Sequence, residues 1–216
     1  MSTWSFSRYK TFEQCHAKYD YRYNLKVPDN RGSGPAAERG VRIHKEIEES
    51  IKGAGALPVE ASFVGDHLGA IRVSGIPATA EFVLKLAKDW TLAANPENYW
   101  LHCILDLYTI PEPTVAEVWD WKTGKRYPEH DEQKELYAIA VLSAYPEIEI
   151  VRTKFAYLDQ GSIIPKEFGR HHVEAAQERW NRKIERMHTA TEFIPMPTFA
   201  CRWCGYSSAF GGPCRF

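Results

Sequence analysis

Val115-Ala116-Glu117-Val118-Trp119-Asp120-Trp121-Lys122-Thr123-Gly124 reads as an apolar strand that runs into an acid, one spacer, a lysine and a turn. Side chains alternate across a strand, so Asp120 and Lys122 share a face, about 7 Å apart along the backbone. A carboxylate there can hold a divalent cation. An ammonium beside it can stabilise an anionic oxygen, and the Trp121 carbonyl offers a further ligand. Such a set suits metal-assisted hydrolysis of a phosphodiester. An isolated acid–x–lysine triplet is a common chance occurrence, so the reading depends on what surrounds it.

Upstream, Tyr99 to Ile110 forms a second apolar run that contains Asp106, and Glu112-Pro113 turns it into the first. The short connection predicts a hairpin. A hairpin brings the two acids together, and a shared cation offsets their repulsion. Thr79 to Leu86 is an expected strand carrying Glu81, to which we assign a structural or supporting role. Glu147 to Asp159 and Ser162 to Phe168 predict a second hairpin around Gln160-Gly161. Helices are expected from Ser5 or Ser7 to about Asn24, over Ala36–Lys52, Ser62–Ala70 and Pro128–Ala144, and over His171–Thr191. Pro28–Pro35 and the tail from Phe193 read as irregular. Helices flanking a mixed sheet give an α/β fold.

The chain has 216 residues, enough for a single domain with a sizeable core. It is 44% hydrophobic and 25% charged, as globular proteins are. No apolar run is long enough for a membrane span, and no signal-peptide core follows Met1, so a cytoplasmic location is the expectation. The net charge of −1 excludes a globally basic nucleic-acid binder but leaves room for a local basic channel beside an acidic site.

Other residues join the candidate site by spacing. Gln133 and Tyr137 lie at i, i+4 on one helix face, where an amide and a phenol can contact a phosphate or orient water. His44 follows Gly40 on a predicted helix, and a neutral imidazole can ligate a metal. On the first helix Arg8, Lys18, Arg22 and Lys26 interleave with Tyr9, Tyr19, Tyr21 and Tyr23, a pattern that reads either as a strand-binding surface or as a solvated basic face. Lys125 and Arg126, beside the turn after Lys122, are expected backbone contacts.

Five cysteines in a chain without a secretion signal favour metal binding over disulfides. Cys201-Arg202-Trp203-Cys204 is a C-x-x-C knuckle, and Cys214 follows a glycine-rich loop. A fourth ligand would come from Cys15 or Cys103, with Cys103 the better fit to a strand core. Four thiolates suit either a [4Fe–4S] cluster or Zn²⁺.

The order G-x-x-x-H (Gly40, His44), D (Asp106), D-x-K-T-G (Asp120, Lys122, Gly124) and Q-x-x-x-Y (Gln133, Tyr137) resembles the RecB-like branch of the PD-(D/E)XK nuclease superfamily. That branch includes the RecB and AddB nuclease domains and the CRISPR-associated iron–sulfur exonucleases. The opening Ser5-Phe6-Ser7-Arg8, with Cys15 and Tyr19, resembles the start of those domains. The resemblance spans essentially the whole chain. It departs from the pattern at His102-Cys103-Ile104-Leu105, where a glycine-containing context is usual, and at the bulky spacer Trp121.

The resemblance implies a restriction-endonuclease-like core over residues 1–216, with 1–35 and 193–216 forming a cluster-bearing subregion. It implies His44, Asp106 and Asp120 as ligands of Mg²⁺ or Mn²⁺, with the Trp121 carbonyl. Lys122 would place the attacking hydroxide, and Gln133 and Tyr137 would shape the DNA side. Cys15 would close the set with Cys201, Cys204 and Cys214 around a structural [4Fe–4S] cluster. The expected activity is exonucleolytic cleavage of single-stranded DNA or DNA ends, in repair, recombination, or phage or CRISPR DNA processing with partner proteins. The rival is a catalytically weak DNA-binding or assembly module acting through a partner. Nothing in the sequence specifies an oligomeric interface.

Overall fold

In the computed structural model, which describes residues 3–216, the quoted stretch is the central strand of a five-stranded sheet. The strands are β1 (Ala78–Leu86), β2 (Leu101–Glu112), β3 (Val115–Lys122), β4 (Ile150–Tyr157) and β5 (Ser162–Gly169). They lie side by side in chain order, and every neighbouring pair is antiparallel except β3 and β4. Both expected hairpins form. The parallel pair needs a crossover, which the helix α5 (Glu129–Ala144) supplies.

Each face of the sheet is covered. On one face Ala116, Val118 and Val151 pack under α5, whose residues from Leu136 to Leu142 are all buried. α5 is enclosed on both sides, because α6 (Val173–Thr189) and the N-terminal segment lie over it. Trp180 of α6 stacks against Trp4 at 5.7 Å and meets Tyr9 edge-on at 5.4 Å. On the other face Ile43 and Ile47 of α3 (Pro35–Ile51) pack with Leu107, Trp119 and Trp121. Val64 and Leu68, from a 3₁₀ turn (Val59–Val64) and α4 (Gly65–Ser74), complete that layer. This mixed α/β arrangement is consistent with a restriction-endonuclease-like core. Among the described residues no helix is long and apolar enough to cross a membrane.

The first helix differs from expectation. It breaks into α1 (Phe6–Gln14) and α2 (His16–Tyr19), the latter continuing as a π-helical turn over Asp20–Asn24. Cys15 between them is extended (φ −167°, ψ 116°), which turns its thiol toward the C-terminal tail, where Met196 N lies 3.4 Å from Sγ. Tyr9 and Tyr19 are 3% exposed, so these two rings serve the core rather than a strand-binding surface.

Candidate functional site: an acidic cluster where the sheet opens

The pairing of β1, β2 and β3 sets three acids in one row. Ala80 pairs with Leu107 and Phe82 with Leu105, so Glu81 lies opposite Asp106. Leu107 pairs with Trp119, so the next step along each strand brings Asp106 opposite Asp120. At this row the sheet departs from regular alternation. Glu81 adopts a left-handed backbone (φ 51°), costly for a residue with a Cβ. On β2, Leu105 joins the α5-side core and Leu107 the opposite one, although regular alternation would put them together. The Trp121 N–H leaves the ladder and donates to Asp106 Oδ2 at 2.6 Å.

His44 arrives from α3 with its Nδ1 3.4 Å from Asp106 Oδ2. Gly40, one turn earlier, permits this approach: a Cβ there would sit 3.2 Å from Thr123 Oγ1 in the turn after Lys122. His44, Glu81 and Asp106 each present a ligand atom, all within 4.8 Å of one another. Burial opposes charge on the His44 ring, but Asp106, Asp120 and the Trp121 backbone together hold its pKa above the ordinary value. Glu81 is pushed up by burial and then by the Asp106 charge.

Asp120 occupies the other half of the site. It is 3% exposed, and burial raises its pKa to about 6, with Lys122 opposing and Asp106 adding to the rise. Lys122 Nζ lies 2.7 Å from Asp120 Oδ2, an ion pair that opposes the effect of burial on the carboxyl. Gln133 Oε1 accepts from Lys122 Nζ at 2.9 Å. The Gln133 amide donates to Tyr137 OH at 2.7 Å and to Asp120 Oδ1 at 3.4 Å. Burial holds the Tyr137 phenol well above its ordinary pKa, so it stays protonated.

The donor set fits a hard divalent cation. An imidazole and two carboxylates converge, and a third, buried carboxylate adjoins them. The clustered atoms are His44, Glu81 and Asp106; Asp120, expected among the ligands, is turned to Lys122. Glu81, read from sequence as structural or supporting, belongs with the clustered acids. Its signal was weak because a glutamate two residues into a β-rich run looks like an ordinary solvent-facing position.

Sequence reasoning also missed the support of Lys122. The Phe155 ring on β4 lies 5.0 Å from Lys122 Nζ and 5.2 Å from Lys134 Nζ. Lys134 is 1% exposed and pairs with Asp131 at 3.0 Å. His130 contacts Tyr157 OH at 3.0 Å; burial, aided by Lys122, lowers its pKa to about 4. Of the expected DNA contacts, Lys125 is exposed with no ion-pair partner among the described residues. Arg126 is exposed and pairs with Asp131 at 3.4 Å. Arg8 points elsewhere, its guanidinium over Tyr23 at 4.9 Å and Tyr19 at 5.5 Å.

At the far end of α1, Cys15, Cys201, Cys204 and Cys214 all line one cavity of about 320 Å³. None is in a disulfide. Cys103 is separate, buried in the sheet core, its thiol pushed up to about 12 by burial. The tail is seated by close backbone approach: a Cβ on Gly205 would fall 1.7 Å from Asp29 Oδ1.

The family model of the PD-(D/E)XK nuclease superfamily matches residues 3–71 and 77–209. Among solved structures, an exonuclease candidate from Eubacterium rectale superposes with a TM-score of 0.54 at 12% identity, covering 93% of this chain and 87% of that one. The protein SSO0001 superposes with a TM-score of 0.52 at 15% identity, covering 100% and 88%. At such identities these likenesses speak to the fold alone. No curated protein sequence matches the chain. Superfamily members use divalent metals, and the clustered imidazole and carboxylates are a donor set for one. From the match over nearly its whole length, the chain belongs to the PD-(D/E)XK nuclease superfamily.

Proposed function

We propose that the protein is a Mg²⁺- or Mn²⁺-dependent DNA exonuclease of the RecB-like branch, acting on single strands or DNA ends. The observation that carries this reading is the meeting of His44, Glu81 and Asp106 beside the Asp120–Lys122–Gln133 network. His44, Asp106, Asp120 and the Trp121 carbonyl hold the cation, with Glu81 beside them. A cation held there acts as a Lewis acid and neutralises charge on the phosphodiester.

The remaining work belongs to side chains. Lys122, braced by Asp120, Gln133 and the Phe155 ring, positions the attacking water and stabilises charge developing on the phosphoryl oxygens. The water oxygen forms a bond to phosphorus as the ester oxygen opposite it departs; one water proton passes to solvent, and the departing oxygen takes a proton from solvent to leave as the alcohol. Tyr137, protonated throughout, and the Gln133 amide shape the DNA side. Lys125 contacts the backbone outside the site; the pairing of Arg126 with Asp131 makes it the weaker contact, and Arg8 supports the fold.

The four cysteines hold a structural [4Fe–4S] cluster that joins 1–35 to 193–216. A tetrahedral Zn²⁺ site with Zn–S bonds of about 2.3 Å needs sulfurs about 3.8 Å apart. The four thiolates line one cavity and suit such an ion as well, so the metal content separates the two. A cytoplasmic role in repair, recombination, or phage or CRISPR DNA processing, with protein partners, suits this chemistry.

The test is cleavage of matched linear and circular single-stranded DNA with Mn²⁺, comparing anaerobically purified wild type with Asp120→Ala. Loss of the linear strand only, abolished by the substitution, supports the reading. Cutting of both substrates makes the enzyme an endonuclease. Equal behaviour of wild type and variant sinks the catalytic assignment and leaves a DNA-binding module.

A further inference from the structure

Six of the seven tryptophans are 4% exposed or less, whereas Trp203 is 47% exposed. Trp203 sits between two of the clustered cysteines and does not stand alone. Phe199 is 67% exposed, with its ring centroid 5.1 Å from that of Trp203. The Arg202 guanidinium lies 3.3 Å from the centroid of Phe199 and 5.1 Å from that of Trp203. Phe216, also exposed, has Arg215 at 4.9 Å. Burying such rings is the default for a globular chain, so several left in water on one tail mark a surface that meets something.

The charge on this surface identifies what. Residues 193–216 carry Arg202 and Arg215 and no acid. The adjoining N-terminal segment adds Lys18, Arg22, Lys26 and Arg31 against Asp20 and Asp29. Among the described residues none of these six cations has a carboxylate within 4.0 Å. On the active-site side Arg39, Arg42, Lys122 and Lys134 are ion-paired and Lys125 alone of the expected contacts is not. In a chain of net charge −1, the tail and the segment beside it thus bring six unpaired cations to the exposed rings.

A protein interface also favours Trp, Phe and Arg, but it is depleted in lysine and in charge at its core, whereas Lys18, Arg22, Lys26 and Arg31 stand without ion-pair partners on the adjoining segment. Here the exposed rings have guanidinium groups against them, the combination that engages an unpaired nucleic-acid strand: bases stack on rings and phosphates meet cations. The surface is also tied to the acidic site. Arg31 donates to the Trp203 carbonyl at 3.0 Å, and its loop leads directly into α3, which carries His44.

We infer that Phe199, Arg202 and Trp203 form a base-stacking platform that holds an unpaired DNA strand outside the active site. This deepens the nuclease reading and rests on it for the identity of the strand. Aromatic stacking does not discriminate among bases, so the platform grips any sequence that lacks a complementary strand.

The experiment measures fluorescence anisotropy of a labelled oligothymidylate and of an abasic strand of equal length. It uses the anaerobically purified protein without divalent metal. Wild type is compared with Trp203→Ala, Trp203→Phe and Arg202→Gln. The platform requires Trp203→Ala to weaken oligothymidylate binding about tenfold, Trp203→Phe to restore most of it, and abasic binding to stay unchanged. Arg202→Gln should flatten the salt dependence by about 0.7 in log–log slope. Mn²⁺-dependent hydrolysis of thymidine 5′-(4-nitrophenyl phosphate), a phosphodiester with a single base and no strand to stack, stays at the wild-type rate in Trp203→Ala.

Unchanged oligothymidylate affinity in Trp203→Ala overturns the platform. So does unchanged affinity with an altered oligomeric state, which assigns the surface to a second copy. If wild type binds the strand but cleaves nothing with Mn²⁺, the nuclease reading fails while the platform stands.

Discussion

The Asp106 carboxylate accepts the backbone N–H of Trp121 at 2.6 Å, and this one contact ends the β2–β3 ladder at the place where the acids gather. The N–H would otherwise bond to β2. By taking it, Asp106 parts β2 from β3 inside the sheet and fixes its own carboxylate beside His44.

Two substitutions separate these roles. Asp106→Asn keeps an acceptor for the Trp121 N–H and loses the charge. The fold should hold, with thermal melting within a few degrees of wild type, while Mn²⁺ binding and cleavage are lost. Asp106→Ala leaves the N–H buried and unpaired, a cost of about 1–3 kcal/mol. For a chain of this size that is about 2–4 °C per kcal/mol. Equal melting of the two variants would remove the structural half of the assignment.

The pH response of the metal-free protein follows from Asp120. Its folded pKa of about 6 lies above the ordinary 3.8, because burial disfavours the carboxylate. The folded state therefore binds the proton more tightly than the unfolded chain. This contribution to stability is complete below pH 3.8 and disappears as pH rises through about 6. Stability without metal should fall by up to about 3 kcal/mol across that window from this group. Mn²⁺ competes with the proton, so its stabilising effect should grow from pH 5 to pH 7.5. A metal-induced shift in melting that is flat with pH would argue against Asp120 as a ligand.

Glu81 combines a left-handed backbone with a carboxylate facing Asp106. Replacement by Gly relieves the backbone and the repulsion together, so the metal-free protein should gain about 0.5–1 kcal/mol. Glu81→Gln relieves the repulsion alone and should gain less. If Glu81 belongs to the site, both variants bind Mn²⁺ more weakly in calorimetric titration. Unaltered Mn²⁺ affinity in Glu81→Gln would return Glu81 to a purely structural role.

The legible parts of this site were those written in local spacing. Asp120 and Lys122 share a strand face, Gln133 and Tyr137 share a helix face, and periodicity alone places each pair. The β2–β3 hairpin was legible from its short turn. Glu81 was not, because its position depends on the pairing of β1 with β2 and on a backbone conformation that no residue pattern announces. The break at Cys15 was hidden for a similar reason. Basic and aromatic residues continue through it at helical spacing, and what meets Cys15 there, the Met196 N–H, lies 181 residues along the chain. The enclosure of α5 was hidden too, since α6 and Trp4 cover a face that the sequence leaves mixed.

The cysteine cavity gives the last prediction. Cys15 sits at the break between α1 and α2, and Cys201, Cys204 and Cys214 reach it from the tail, so one group bound by all four would pin the two ends of the chain together. Without that group the tail has little to hold it. Several of its apolar side chains are exposed, and it is held to the N-terminal segment by the Gly205 approach to Asp29, the Arg31–Trp203 and Asn30–Phe210 bonds and the Tyr21–Tyr206 ring contact. Cys15→Ser should therefore free the tail while sparing the sheet. Limited proteolysis should then cut between residues 190 and 200 in the variant and not in wild type. Elemental analysis of anaerobically purified wild type should give about four irons per chain, with visible absorption that air bleaches. One zinc per chain would make the staple a single ion, and an equally protected tail in Cys15→Ser would take Cys15 out of it.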